Sequence, residues 1–408
     1  MLQRIVRAPV FGALHHRNFR LYWLGLIVAV VGWQVQFVAQ SWLAYQITDS
    51  PFYLGLVGGA SAVPSIVFAF FGGVVADRVN RRRLLMLTQV VSAFLLLSLA
   101  TLVVTGLVTI WHVLVVSFLS GTVVAFERPA RTSMVPLLID DKKELMNAIA
   151  LDSSVWQISR IVGPAIAGFL TAVLGVAVCF YLTAAGYLAM LGALYYVRTV
   201  EQAVGAGSQS IWSNVKEGVG YVWRNQVFLV LVGLTFVNSI FGTSYLYIMP
   251  VFARDILQVG AQGYGFLITA SGIGALVGAL IVGSLGNFRR RGWLVIVASL
   301  AYGVLVLVFS RSRLFPLSFS VVALAGMCYS LYMITIQTVL QGLVPDSLRG
   351  RVMGIYGLTW SLWPLGGMVL GTLATFWGAP LSVTVAASVL AGFTVFMAAT
   401  TPLLRRIR

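Results

Sequence analysis

Charged side chains inside long apolar runs are the residues of this chain most able to do chemistry. Of eleven acidic residues, nine fall in polar loops, at helix ends or in a central polar interval. The two others are Glu127, in Ala125-Phe-Glu-Arg-Pro-Ala-Arg131, and Asp152, about two turns into a later apolar run. Arg160 follows Asp152 at twice the helical i, i+4 spacing and is the most deeply placed cation. A charge at the centre of a bilayer costs about 2.5–3.5 kcal/mol on insertion scales, so each such residue needs a reason to be there. Two reasons fit. The three can bind a polar substrate or exchange a proton, with Arg160 reaching inward toward Glu127. They can equally form a static ion-pair network that holds helices together.

Other chemistries lack their residues. His15, His16 and His112 lie near the ends of apolar runs, and no His/Cys/Asp spacing suits a metal. No phosphate-cradling glycine loop with a lysine occurs, and no nucleophile stands beside a base. Cys179 and Cys328 sit within apolar runs and read as packed thiols. The chain is therefore not expected to be an enzyme, and no cofactor or metal is expected.

The elements that position Glu127, Asp152 and Arg160 must be membrane helices. The sequence is 59% hydrophobic and 9% charged, with mean hydropathy +0.94, whereas soluble domains carry about 25% charged residues. Runs of about 20 apolar residues mark bilayer-crossing helices. Twelve are expected, from 20–46 through 350–375 to 379–402. The first is too long for a signal peptide, so no cleaved leader is expected.

The net charge of +16 is distributed unevenly. One set of loops carries Arg4, Arg7, Arg17 and Arg20, then Arg78 and Arg81 to Arg83, Lys142 and Lys143, Arg289 to Arg291, Arg349 and Arg351, and Arg405, Arg406 and Arg408. The opposite loops have only Arg254, Arg311 and Arg313. The positive-inside rule then places both termini in the cytoplasm, and nucleic acid is not an expected partner.

The longest polar interval divides the chain into an N-terminal six-helix bundle (1–197), a linker (198–226) and a C-terminal six-helix bundle (227–408). Ser210 to Arg224 has helical apolar spacing, with Trp212 and Trp223 as anchors, and is expected to form an amphipathic helix on the cytoplasmic surface. Met134-Val-Pro136 and Leu343-Val-Pro345 echo each other, as do Gly163-Pro164 and Trp363-Pro364, which indicates a duplication.

Between the second and third spans stands Gly73-Val-Val-Ala-Asp77-Arg78-Val-Asn-Arg81-Arg82-Arg83-Leu84, a charged turn that must be exposed to water. It resembles the loop between helices 2 and 3 of major facilitator transporters. Further segments resemble the bacterial exporter branch typified by enterobactin and macrolide efflux proteins. They include Asn18-Phe-Arg20, Arg160-Ile-Val-Gly163-Pro164, Pro250-Val-Phe-Ala-Arg254-Asp255 and Pro345-Asp346-Ser-Leu-Arg349-Gly350-Arg351. Departures are Asn80 in place of a glycine and a second hairpin with Gly286 and Asn287 where an acid would stand.

The resemblance implies an all-α fold of twelve helices in two pseudo-symmetric bundles. It implies export of small amphipathic molecules from the cytoplasm of a bacterium through its inner membrane, by alternating access driven by proton entry. A monomer is expected. Gating falls to Gly73, Asp77, Arg78, Arg81 and Arg82 in the hairpin, with Asp77 accepting hydrogen bonds from an opposing helix N-terminus, and to the Gly163-Pro164 kink. The cavity-lining helices 1, 4, 7 and 10 of such proteins, with helix 11, offer Gln34, Gln36, Asn238, Tyr329, Tyr332, Gln337 and Trp360 beside Glu127, Asp152 and Arg160. A lipid or lysolipid flippase on the same fold, or a membrane sensor without transport, would share most of these features.

Overall fold

A computed structural model describes residues 9–139, 141, 144–198, 220–286, 288 and 290–405. The expected interfacial helix at 210–224 therefore lies outside the described residues except for 220–224, which are helical. Lys142, Lys143, Arg289 and the terminal arginines Arg4, Arg7, Arg406 and Arg408 also lie outside them, as do the side chains of Arg349 and Trp360.

The described residues form helices and connecting turns. The first six long helices are α1 (Arg17–Thr48), α2 (Pro51–Arg78), α3 (Arg81–Val104), α4 (Ile110–Met134), α5 (Leu145–Leu174) and α6 (Val176–Tyr196). Then come α7 (Gln226–Val237), α8 (Gly260–Leu285), α9 (Arg291–Arg311), α10 (Phe315–Leu343), α11 (Asp346–Ser361), α12 (Trp363–Trp377), α13 (Ala379–Thr400) and the single turn α14 (Pro402–Arg405). Among the described residues, eleven helical segments are long and apolar enough to cross a membrane. The twelfth expected span is present but interrupted. Leu362 forms a turn between α11 and α12, and its N–H bonds to Thr359 O at 3.2 Å. Two residues on, Pro364 has no N–H to give and its ring crowds the preceding turn, which breaks the α-helical ladder.

The residues group into two compact units. One lies within Met1–Ile47 and Ala60–Ala206, the other within Thr48–Gly59 and Gly207–Arg408. In the first unit, α2 and α4 meet backbone to backbone. A β-carbon at Gly121 would strike the carbonyl of Ser61, and one at Gly72 would strike the carbonyl of Ala125. Pro129 explains why that second carbonyl is available, because it lacks the N–H that would bond to residue 125. The second unit repeats the arrangement between α8 and α10. Gly274 backs onto the carbonyl of Ala323, and Gly326 backs onto that of Ser271. Small residues let helices approach closely in a bilayer, where apolar burial alone gives no preference for protein over lipid.

The first turns of α2 belong to the second unit. Gly55 faces the Gly367 carbonyl, Gly371 faces that of Pro51, and Gly58 lies against the Tyr247 ring. Beside them Arg254 is ion-paired with Asp49, whose φ of +47° places it in the left-handed region that aspartate tolerates.

The span that begins with α7 departs from α-geometry for most of its second half. Asn238–Gly242 is a π-turn, Thr243–Tyr247 a 3₁₀ turn and Phe252–Ile256 a second π-turn. Two carbonyls in this stretch also accept from side chains of other helices. Tyr302 Oη donates to Gly242 O at 3.0 Å, and Trp363 Nε1 donates to Thr243 O at 3.0 Å. In hydrocarbon an unpaired carbonyl would cost several kcal/mol, so the irregular backbone persists because protein surrounds it.

Candidate functional site

In the first unit the charged residues gather around Arg131. This arginine lies one helical turn beyond Glu127 on α4, the i, i+4 spacing that puts two side chains on one face. Glu127 and Asp152 both lie within the electrostatic reach of its charge, although among the described residues neither carboxylate is within ion-pair distance of it. The Arg131 guanidinium stacks over the Trp156 ring, 4.4 Å from its centroid, and Trp156 meets Trp33 edge-on at 5.7 Å. Asp152 accepts a hydrogen bond from Tyr22 Oη at 3.2 Å. Glu127 lies near the Gln89 side chain, whose Oε1 is buried without a hydrogen-bond partner among the described residues. The site thus draws on α1, α3, α4 and α5. It combines two carboxylates, one cation, aromatic walls and an unused acceptor. Such a group can hold a polar molecule against flat apolar surface, or take up a proton at a carboxylate.

Arg160 occupies a different place from the expected one. Asp152, Trp156 and Arg160 recur every four residues and share a face of α5. Arg160 is half-buried, yet no carboxylate lies within ion-pair distance of it among the described residues. The expected reach of Arg160 to Glu127 is not seen; the cation whose charge bears on Glu127 is Arg131, at the i, i+4 spacing on the same helix, without a direct ion pair among the described residues.

The glutamines divide. A β-carbon at Gly163 would collide with Cβ of Gln34, so the glycine before Pro164 lets α5 rest directly on Gln34. Gln36 belongs to a buried chain of amides and hydroxyls. Tyr187 Oη donates to Gln36 at 3.4 Å, Gln36 to Gln40 at 3.2 Å, and Gln40 to Ser117 Oγ at 2.6 Å. That chain ties α6, α1 and α4 together, and it leaves Gln36 engaged with protein.

In the second unit, Asn238 opens the first π-turn. Its side chain is 1% exposed, and its Nδ2 has no hydrogen-bond partner among the described residues. Tyr332 is fully buried in an apolar cluster with Leu234, Ile336 and Tyr356, which makes it a core residue of this unit. Tyr329 is half-buried and tilts against Tyr302 at 5.6 Å, while Gln337 is exposed on α10.

The hairpin is fastened by its arginines. Arg82 Nε donates to Leu194 O at 2.7 Å and its Nη2 to Tyr195 O at 2.6 Å, which caps the last turn of α6. A cation there also meets the negative end of the helix dipole. Arg81 Nη1 donates to Ser133 O at the end of α4, at 3.3 Å. Asn80, which replaces a glycine of the family pattern, caps α3 by accepting from the Arg83 N–H at 3.1 Å. Asp77 and Arg78 are exposed, and a β-carbon on Gly73 would meet nothing, so its neighbour Gly72 is the packing glycine. At the same end, His16 Nε2 pairs with Glu144 at 2.8 Å. The Arg82→Gln variant is expected to lose two charge-assisted bonds. Each is worth about 1.5–3 kcal/mol where well shielded, and these sit at the lower end because the site is partly exposed. A lower midpoint of thermal unfolding in detergent, with Arg83→Gln unchanged, is the measurement.

The comparisons bear on the whole of this arrangement. Residues 8–407 match the family model described as transmembrane secretion effector. The chain belongs to that family of major facilitator transporters. It is a multi-pass membrane transporter, and not an enzyme. It is 26% identical over 359 residues to the multidrug efflux pump Tap of Mycolicibacterium fortuitum, covering 85% of this chain and 87% of the pump. It is 24% identical over 358 residues to the staphyloferrin A transporter of Staphylococcus aureus, covering 84% and 85%. A solved bacterial homologue of the human lysosomal transporter Spinster is similar in fold. Its TM-score is 0.74 at 13% identity, over 96% of this chain and 98% of that one.

Proposed function

We propose that this transporter exports small amphipathic molecules, of the drug or siderophore kind, in exchange for protons. The observation that carries the reading is the Arg131 cluster, where Glu127 and Asp152 lie within the electrostatic reach of one guanidinium stacked on Trp156. Proton uptake by either carboxylate would shift the pull of Arg131 toward the other. A coupled cycle needs that kind of exchange between alternatives. The relatives named for multidrug efflux and for staphyloferrin A support the direction and the substrate class.

In this reading the chain lies in the bacterial inner membrane with both termini cytoplasmic, as the basic loops favour. It acts as a monomer, with the bundles 1–197 and 227–408 as its two domains. Asp77 and Arg78 form the inner gate, Gly163-Pro164 supplies a flexible point in α5, and Arg160, with no carboxylate beside it, contacts the substrate.

Ethidium transport in proteoliposomes tests the coupling. An imposed pH gradient should accelerate ethidium accumulation. Glu127→Gln should abolish that acceleration while exchange of ethidium for ethidium continues. A sodium gradient that substitutes fully for the pH gradient, or a Glu127→Gln protein that still responds to pH, would overturn the proposal.

A further inference from the structure

A shallow groove of about 390 Å³ lies at the start of α9, in the second unit. Its lining is Phe288, Arg290, Trp293, Leu294 and Val297. Positions 290, 293, 294 and 297 follow helical spacing and form a single stripe. The stripe is graded, with a cation at its end, an indole next, and aliphatic side chains further up the span. Trp293 is 47% exposed and Val297 56% exposed, so this face of α9 is turned out from the protein.

A second cation comes from the last helical turn. Leu404 is 1% exposed within the apolar core, which pins α14 in place. That anchoring holds Arg405 over the Trp293 ring, 6.0 Å from its centroid. Neither 286–297 nor 401–405 contains an acidic residue. The two arginines thus lack a counter-charge from the segments that form the groove. Tryptophan is enriched where hydrocarbon meets headgroups, and basic pockets at that depth attract anionic lipid.

We propose that this groove binds an anionic phospholipid. Arg290 and Arg405 hold its phosphate, Trp293 packs against the glycerol region, and an acyl chain runs along Leu294 and Val297. The gradation from charge to aromatic to aliphatic side chain along one stripe matches the order of groups along a lipid, which a soluble anion does not share.

The test uses the purified full-length protein in mixed micelles with phosphatidylglycerol and phosphatidylcholine of identical acyl chains, and bound lipid is counted by native mass spectrometry. Phosphatidylglycerol should be retained in preference. Each basic residue near a membrane surface is worth about a five-fold change in affinity, so Arg290→Gln with Arg405→Gln should reduce that retention roughly 25-fold. Arg83→Gln with Arg198→Gln removes the same charge elsewhere and should leave it unchanged. Trp293→Leu keeps both arginines and should lower retention by a smaller factor, which keeps the proposal testable if the double variant does not fold. Equal retention of the two lipids by the unaltered protein would overturn it. So would equal loss in both double variants, unchanged retention in Trp293→Leu, or complete displacement of lipid by millimolar inorganic phosphate.

Discussion

Replacement of Arg131 by leucine is expected to reduce transport by roughly thirty-fold or more. The charge of this guanidinium bears on both Glu127 and Asp152, and its loss leaves both carboxylates with less counter-charge in a poorly hydrated site. Removing one partner of a fully buried pair costs about 3–5 kcal/mol. Arg131 is half-buried, so solvent screening brings the expected cost to about 2 kcal/mol. Arg131→Lys should recover part of the activity, because it keeps the charge but loses the flat stacking on Trp156. Initial rates of ethidium accumulation in proteoliposomes measure both. Arg160→Leu separates positioning from substrate contact. With no carboxylate beside it, its removal should slow transport without lowering the thermal midpoint. A lowered midpoint for Arg160→Leu and a normal rate for Arg131→Leu would reverse the roles assigned to the two arginines.

The second large effect is structural. Gly326→Leu should prevent assembly of the folded protein. Its β-carbon alone would overlap the Ser271 carbonyl, and backbone cannot move aside as a flexible side-chain tip can. Overpacking a tight interface costs about 1–3 kcal/mol when side chains can adjust, and more when they cannot. Gly121→Leu should behave alike, through the Ser61 carbonyl in the first unit. Gly283→Ala on α8 is the control, since open space surrounds that position. Monodispersity on size-exclusion chromatography reports the outcome. A monodisperse, stable Gly326→Leu protein would show that α8 and α10 can separate without loss of the fold.

Apolar run length and the sidedness of arginine made the helical membrane architecture readable from sequence, because both are averages over many residues. Azimuth around a helix was harder to read. Counting 1.5 Å per residue puts Glu127, Asp152 and Arg160 at related depths, but depth does not say which side chains turn toward each other. Only the four-residue intervals 127–131 and 152–156–160 carry that information, and they point to Arg131 and Trp156. The same difficulty separates Gly72 from Gly73. Adjacent residues lie about 100° apart on a helix, and only one of the two faces α4. The π-turns after Val237 carry no comparable mark. Asn238-Ser-Ile-Phe-Gly242 has no proline, and small and polar residues such as these also occur within regular membrane helices.

The two carbonyls that Tyr302 and Trp363 satisfy have a consequence for how this chain can vary. Peptide groups at 242 and 243 are solvated by residues encoded sixty and one hundred and twenty positions downstream. Tyr302→Phe or Trp363→Phe would preserve bulk and hydropathy, yet remove a side-chain hydrogen bond from a buried amide oxygen. Evolutionary freedom at these aromatic positions is therefore limited by a span to which neither belongs. Divergence of that span and of its two distant donors must proceed together.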